Sequence, residues 1–408
     1  MKVLIAGAGI GGLVTALRLH HAGIESEVFE QGEQIKELGV GVNLLPHAVA
    51  ELAELGLLDE IAATAIRTHE LFYTHRLGQE VWHRPCGTAA GFRIPQFSVH
   101  RGRLQGLLYR AVTERLGADA VHTGHRLVGF DQDAQGVRAR FADHDGDALD
   151  QAHGDVLVGA DGIHSAVRAT FYPDEGPPRW NGVLMWRGAT EWPEFGTGRS
   201  MIIAGGKDKL VVYPVAEGSK PGTKLTNWAI CVTKGEPGMP PPSRQEWSKP
   251  ADPSMFEQYF DRFQLPGIDH RALIMATEQI FEFPMCDRDP VPYWTKGRVT
   301  LLGDAAHPMY PMGSNGAGQA ILDARCLADN LASHADPGEA LRAYEQERLP
   351  ATADVVQRNR EGGPEGVIDV VEDLAPDGFD KLEDVIDPAE LARIVNDYAQ
   401  ASGAHRAR

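Results

Sequence analysis

A short apolar run, Lys2-Val3-Leu4-Ile5-Ala6, leads into Gly7-Ala8-Gly9-Ile10-Gly11-Gly12. A segment with helical apolar spacing follows from Leu13 to Ala22 and stops at Gly23; a second strand-like run, Ser26 to Glu30, ends in an acid. Strand, glycine loop, helix, strand and acid in that order make a βαβ unit, which demands a parallel α/β sheet around it. Gly7 makes the tight turn, Gly9 lets backbone N–H groups reach a pyrophosphate at the helix N-terminus, and Gly12 lets helix and strand pack closely. Glu30 is spaced to accept from an adenosine ribose 2′-hydroxyl, and its charge disfavours a 2′-phosphate. The unit binds a dinucleotide but does not choose between FAD and NAD.

A second glycine-rich stretch lies near the other end. The strand-like Arg298 to Leu302 runs into Gly303-Asp304-Ala305-Ala306-His307-Pro308-Met309-Tyr310-Pro311-Met312-Gly313-Ser314-Asn315-Gly316-Ala317-Gly318-Gln319, and a helical pattern follows from Ala320 to Leu331. Strand-to-helix crevices of this kind bind cofactors. Asp304 can accept a ribityl-type hydroxyl. The small residues up to Gly316 and Ala317 let a planar ring approach bare backbone at a positively polarised helix N-terminus. Alone this is a glycine-rich turn; beside the N-terminal unit it reads as a flavin seat.

Composition excludes several alternatives. A net charge of −18 argues against a nucleic-acid partner, which would need a basic surface. No run approaches the roughly 18 apolar residues of a membrane span, and Met1 leads into a strand with no signal segment. Cys86, Cys231, Cys286 and Cys326 are widely spaced with no CxxC or Cys/His pattern, so no metal is expected and a reducing cytoplasm fits.

Between the two glycine-rich stretches the chain changes character. Glu37 to Pro46 carries Gly39 and Gly41 among β-formers and fits either a mobile loop passing a flat ring or a bulged strand. Short strand-like pieces over 71–97 break the βα rhythm. The helix after Ser98 carries Arg101 and Arg103 near its start, where cations oppose the helix dipole; either an anion such as a pyrophosphate or solvent answers them. Asp161 and Arg168 could pair across the turn after the buried run Asp155 to Gly159 and shape it. Alternating strands from Gly182 to Thr233 predict an antiparallel sheet forming one wall of a pocket. A proline-rich loop follows, then a helical stretch over 254–275. Gly362 to Phe379 reads as a linker. In the last helix, Leu391, Ile394, Val395 and Tyr398 form a stripe that docks on the body or on a second copy. The expected fold is therefore α/β: a discontinuous Rossmann-like domain (1–70, 98–178, 276–360), an inserted antiparallel-sheet substrate domain (71–97, 179–275), and a linker with C-terminal helix (361–408).

Together, Gly7 to Glu30, Asp161 to Arg168 and Gly303 to Gln319 resemble the single-component FAD-dependent aromatic hydroxylases of the para-hydroxybenzoate and salicylate hydroxylase class. Gly41-Val42-Asn43, His100-Arg101-Gly102, Met185-Trp186-Arg187-Gly188 and Tyr310-Pro311-Met312-Gly313 look most like the phenazine-carboxylate monooxygenases within it. The chain departs from the class at Leu322, where many members place an acid ahead of the Asp that is Asp323 here. The resemblance implies the para-hydroxybenzoate hydroxylase fold and bound FAD held by Gly7, Gly9, Gly12, Glu30, Gly41, Val42, Arg101, Gln105, Asp161, Asp304, Gly316 and Ala317. It also implies NADH or NADPH as co-substrate, O₂, and hydroxylation through a flavin C4a-hydroperoxide, with or without decarboxylation, of a small planar anionic aromatic such as a phenazine carboxylate. Pro311, Tyr310 and Tyr213 are the candidate catalytic residues. Trp186, Arg187, Tyr213 and Met309 suit a substrate pocket, although core packing or a surface ion pair would use the same residue types. His307 fits a loop-holding hydrogen bond better than a proton shuttle. A reductase on the same fold without oxygen transfer is the competing activity; monomer and homodimer both remain open.

Overall fold

The computed structural model describes residues 1–35, 40–246 and 248–403. Gly39, and with it half of the expected 39–41 glycine loop, lies outside them.

The strands Lys2–Ala6, Val156–Gly159 and Val299–Leu301 are apolar on both faces and form the middle and one side of a five-stranded parallel sheet. Its order runs from Val299–Leu301 through Val156–Gly159, Lys2–Ala6 and Glu25–Phe29 to Val121–His122. The first strand therefore sits inside the sheet with chain departing to both sides, which opens a crevice at the strands' C-terminal ends. Helices Ile10–His21, Arg101–Leu116 and Gly316–Ser333 bury their apolar faces against the same core. Among the described residues no helix is long and apolar enough to cross a membrane, and no group of three or more His, Cys, Asp or Glu could hold a metal ion.

The second body is a seven-stranded sheet. Its order is Ile280–Asp287, Arg179–Pro193, Thr223–Thr233, Lys209–Glu217, Ser200–Gly205, Glu70–Thr74 and Glu80–Pro85. Alternation along these strands separates two faces. Trp186, Trp228, Ile230, Leu210 and Val212 point into a core with Phe256 and Phe260. Met185, Cys231 and Phe283 point the other way, towards Tyr310 and Met312 of the glycine-rich loop.

Three expectations are corrected. Ile280–Asp287 pairs antiparallel with Arg179–Pro193, so the substrate-side sheet extends past the expected boundary at 275/276. The stretch 254–275 is not one helix: it holds the 3₁₀ turns Pro253–Met255 and Glu257–Arg262, then the short helix His270–Met275, because Pro266 and Gly267 interrupt it. The segment read as a linker is a buried helix, Gly366–Leu374. Its Val367, Ile368 and Val371 pack on Leu71, Tyr73, Met201 and Ile203 of the large sheet, and Gly362 and Gly363 only turn the chain, with φ of 96° and 59°.

Glu365 opens that helix and is 8% exposed. Burial pushes its carboxyl from the ordinary 4.5 up to about 7, against the pull of Lys209. Between those values the unfolded chain releases this proton while the folded chain keeps it, so stability falls as pH rises through the window. Glu365→Gln should therefore melt higher than wild type at pH 8, by up to about 3 kcal/mol of stability. The difference should close as pH falls towards 4.5, read by thermal unfolding across that range.

Candidate functional site

The glycine loop is built by contacts that exclude side chains. A Cβ at Gly12 would stand 1.9 Å from the Gly7 carbonyl oxygen, whereas one at Gly9 would meet no atom within 4 Å. The loop is closed at Gly12 and open at Gly9, where a ligand phosphate would approach the start of helix Ile10–His21. Glu30 holds this loop from the neighbouring strand: its carboxylate accepts from Ala8 N and Gly32 N, each at 2.8 Å. Gln105 Nε2 donates to Ala8 O at 2.8 Å.

Arg101 and Arg103 diverge. Arg103 is exposed, whereas Arg101 is half-buried in the field of both Glu30 and Asp304. Burial lowers the Arg101 guanidinium and those two carboxylates oppose it. Burial likewise raises the Asp304 carboxyl, with His307 and Arg101 pulling it back. One cation thus lies in the field of carboxylates from both motifs, Glu30 and Asp304, which stand 274 residues apart in the chain. At the third motif, Asp161 accepts from Ala166 N at 2.7 Å; its Oδ1 is buried and has no hydrogen-bond partner among the described residues. An Asp161–Arg168 pair does not form. Arg168 instead grips Glu175 (Nε to Oε2, 2.9 Å) and donates to the carbonyls of Ala306 (2.6 Å) and Asp289 (2.8 Å). One Asp161 oxygen is held by its own turn, and the other is left over.

The loop after Asp304 is pinned from beneath. Asp323, fully buried, accepts from His307 Nε2 (2.5 Å), Gly303 N (3.1 Å) and Arg348 Nε (2.7 Å). Burial opposes its ionisation, yet His307 and Arg348 hold it below the usual carboxylate range. His307 is therefore a loop anchor. No side chain caps helix Gly316–Ser333, so the N–H groups of its first turn, Gly316 and Ala317 among them, lack an intrahelical partner. Met309 lies beside Gly316, with its Cγ 3.9 Å from where a Cβ would stand. The carbonyl of Pro311, a candidate catalytic residue, accepts from Ser314 N at 3.0 Å and closes the turn.

Opposite the loop stands the large sheet. Gly41 N donates to Asn227 Oδ1 at 2.7 Å, and a Cβ at Gly41 would sit 2.6 Å from the Tyr213 hydroxyl. Val42 pairs with Val99 in the same small sheet, and Asn43 joins Ser98 Oγ (2.6 Å) to Ser314 Oγ (3.3 Å). Arg187, 4% exposed, lies 5.3 Å from the Phe283 ring centroid. Burial and the charge of Arg101 draw its guanidinium down to about 9. Burial also raises the phenols of Tyr213 and Tyr310. Trp186 is not part of this face: it stacks on Phe256 at 5.0 Å, because adjacent strand residues point to opposite sides. Asn227, Asn43 and Asp323 are not singled out as site residues by the sequence. Each acts through a partner distant in the chain, and only the Asp that follows Leu322 in a glycine-to-helix motif could have signalled its node.

The open position at Gly9, the unpartnered Asp161 oxygen, the uncapped helix and Arg101 between two acids fit FAD laid across the crevice. Residues 1–204 and 268–359 match the FAD binding domain family. The chain belongs to that family, and its class is the FAD-dependent aromatic monooxygenases. It is 46% identical to the phenazine 1,6-dicarboxylic acid hydroxylase PhzS of Lysobacter antibioticus, covering 88% of this chain and 89% of that protein. It is 34% identical to 3-hydroxybenzoate 6-hydroxylase 1 of Aquipseudomonas alcaligenes, covering 88% of each. Among solved structures, a point variant of Klebsiella pneumoniae HpxO complexed with FAD superposes with a TM-score of 0.77 at 26% identity, covering 99% of each chain.

Glu30→Ala removes a charged acceptor from the dinucleotide loop. It should weaken FAD binding by about 1.5 to 3 kcal/mol, read by titrating the apoprotein with FAD and following flavin fluorescence. Unchanged affinity would remove Glu30 from the site.

Proposed function

We propose that this protein uses NADH or NADPH and O₂ to hydroxylate a planar aromatic carboxylate, such as a phenazine carboxylate, with or without loss of a carboxyl group. The observation that carries this reading is Arg187. It is a buried guanidinium on the sheet face that meets the flavin loop, destabilised enough by burial and by Arg101 to be drawn down to about 9. A carboxylate beside it would oppose that shift and match the guanidinium fork. Met185, Phe283 and Tyr310 supply apolar and aromatic surface on the same side, suited to a flat ring. The similarity to a protein named for a phenazine dicarboxylic acid supports this substrate class.

Bound FAD would supply the activated oxygen after reduction by a nicotinamide; the chain would position and shield it. Gly316 and Ala317 would offer N–H groups that stabilise negative charge on the pyrimidine part of the ring. Gly7, Gly9, Gly12 and Glu30 would hold the adenosine half, with Gln105 steadying the glycine loop, and Arg101 and Asp161 would serve the pyrophosphate side. Asp304 would take the ribityl chain, while Gly41 and Val42 would offer backbone to the ring. Tyr213 and Tyr310 stay neutral at physiological pH, because burial raises both phenols; the Tyr213 hydroxyl can donate a hydrogen bond to substrate oxygen or nitrogen, whereas that of Tyr310 is engaged by Asp287. Met309, beside Gly316, would pack against the ring, and Pro311 shapes the turn through its bond from Ser314 N. The four cysteines are all free and buried, which supports a reducing cytoplasm as the setting.

The test is turnover with NADH or NADPH, a panel of aromatic acids and isotopically labelled O₂. Label in the product is expected; a product that gains hydrogen without label would make the protein a reductase. Arg187→Gln should raise the Michaelis constant for acids about tenfold to a hundredfold, with bound FAD unaltered and neutral analogues little changed. An equal loss for acids and neutral analogues would overturn the assignment of Arg187.

A further inference from the structure

Residues 361–403 lie outside both stretches that match the FAD-binding family, yet one of their side chains reaches the loop that seats the flavin. Tyr398 belongs to helix Pro388–Ala401 and is 6% exposed. Its ring occupies the space that a side chain at Gly313 would need: a Cβ there would stand 2.4 Å from Tyr398 Cε1. Its hydroxyl lies 2.6 Å from Asn359 Oδ1 and 3.0 Å from the Met312 carbonyl, and accepts from Asn315 Nδ2 at 3.0 Å. Asn359 in turn donates to the Tyr310 carbonyl at 2.9 Å. One phenol thereby engages positions 310, 312, 313 and 315. A second tie from the same helix runs from Gln319 Nε2 to Ser402 O at 3.1 Å.

This part of the loop needs holding. Gly313 and Ser314 are both left-handed, with φ of 67° and 57°, and Ser314 is the one non-glycine residue in that region among the described residues. Such backbone costs on the order of 1 to 3 kcal/mol and persists only where its surroundings over-determine it. The Asp323 node grips the loop at Gly303 and His307, upstream of this turn. Over Met312 to Asn315 the other side-chain ties among the described residues are Asn315 Nδ2 to Gly313 O at 3.1 Å, within the turn itself, and the longer Asn43 Nδ2 to Ser314 Oγ at 3.3 Å, Gly313 N to Glu365 Oε1 at 3.4 Å and Gln319 Nε2 to Asn315 Oδ1 at 3.5 Å.

The geometry points to Tyr398 as a positioning residue for the bound flavin, fixing the turn at Met312–Asn315 and so the direction in which Gly316 and Ala317 present their N–H groups. This rests on the assignment of that helix N-terminus to the flavin. Tyr398→Phe keeps the ring under Gly313 and removes only the hydroxyl. Its affinity for FAD should fall about tenfold, and the visible absorption bands of the bound flavin should shift when recorded at saturating FAD. A loop that was merely less stable but correctly shaped would give the wild-type spectrum there. Ala317→Pro provides the reference: proline is tolerated in the first helical turn and deletes one N–H. If Ala317→Pro changes affinity and spectrum while Tyr398→Phe changes neither, the role of Tyr398 is overturned and the flavin seat stands. If neither variant changes either readout, the seat itself is wrong and the inference falls with it.

Discussion

A buried carboxylate holds the working end of this molecule together. Asp323 is fully inaccessible and takes hydrogen bonds from His307, Arg348 and Gly303. These three come from the loop after the last strand of the parallel sheet and from the helix Pro337–Arg360. Burying a charge costs several kcal/mol unless partners satisfy it, and here two cationic or polarised groups and a backbone amide do so. The cost makes the arrangement selective: with any partner misplaced the carboxylate would be stranded, so the loop cannot drift far from one conformation. The positions of Asp304 and of the N-terminus at Gly316 both follow from that restriction.

The second constraint is the closeness of the two sheets. Gly41 meets Tyr213 with no room for a side chain, and its amide is tied to Asn227. The strand Gly41–Leu44 is thereby pressed onto the large sheet, while its own sheet partner, Gln96–His100, leads directly into the helix that begins at Arg101. Arg101, in the field of Glu30 and Asp304, is thus placed by the same strand pair that meets the large sheet. The glycine loops and the large sheet share one set of supports.

What could be read from the chain divides along physical lines. The unit from Gly7 to Glu30 is legible because its turn, helix and strand are local, and a single close contact, Gly12 on Gly7 O, imposes the glycine. The crevice at Asp304 is legible for the same reason. Arg187 and Trp186 are adjacent in sequence and so look like partners, but a strand sends them to opposite faces, and the pocket's extent depends on which face meets the loop. The segment 362–379 looks like a connector because glycine, proline and acids punctuate it; its Val367, Ile368 and Val371 are covered by strands from far earlier in the chain, around Leu71 and Met201, which no local pattern reveals. Tyr398 shows the same limit: a tyrosine in an amphipathic stripe announces docking, not what its hydroxyl will reach.

The alternation along Arg179–Pro193 and Thr223–Thr233 also divides the protein's capacity to vary. Met185, Arg187, Ala229 and Cys231 face the loop, whereas Trp186, Trp228 and Ile230 are packed into a core of their own. Changes at odd-numbered positions alter the face turned to the loop while leaving that core intact; changes at even-numbered ones disturb the scaffold and leave the loop-side face alone. Selection for a new ring shape or a new charge can act on one side of each strand almost independently of the stability carried by the other. A fold built on such strands can diversify its substrates without rebuilding its flavin seat.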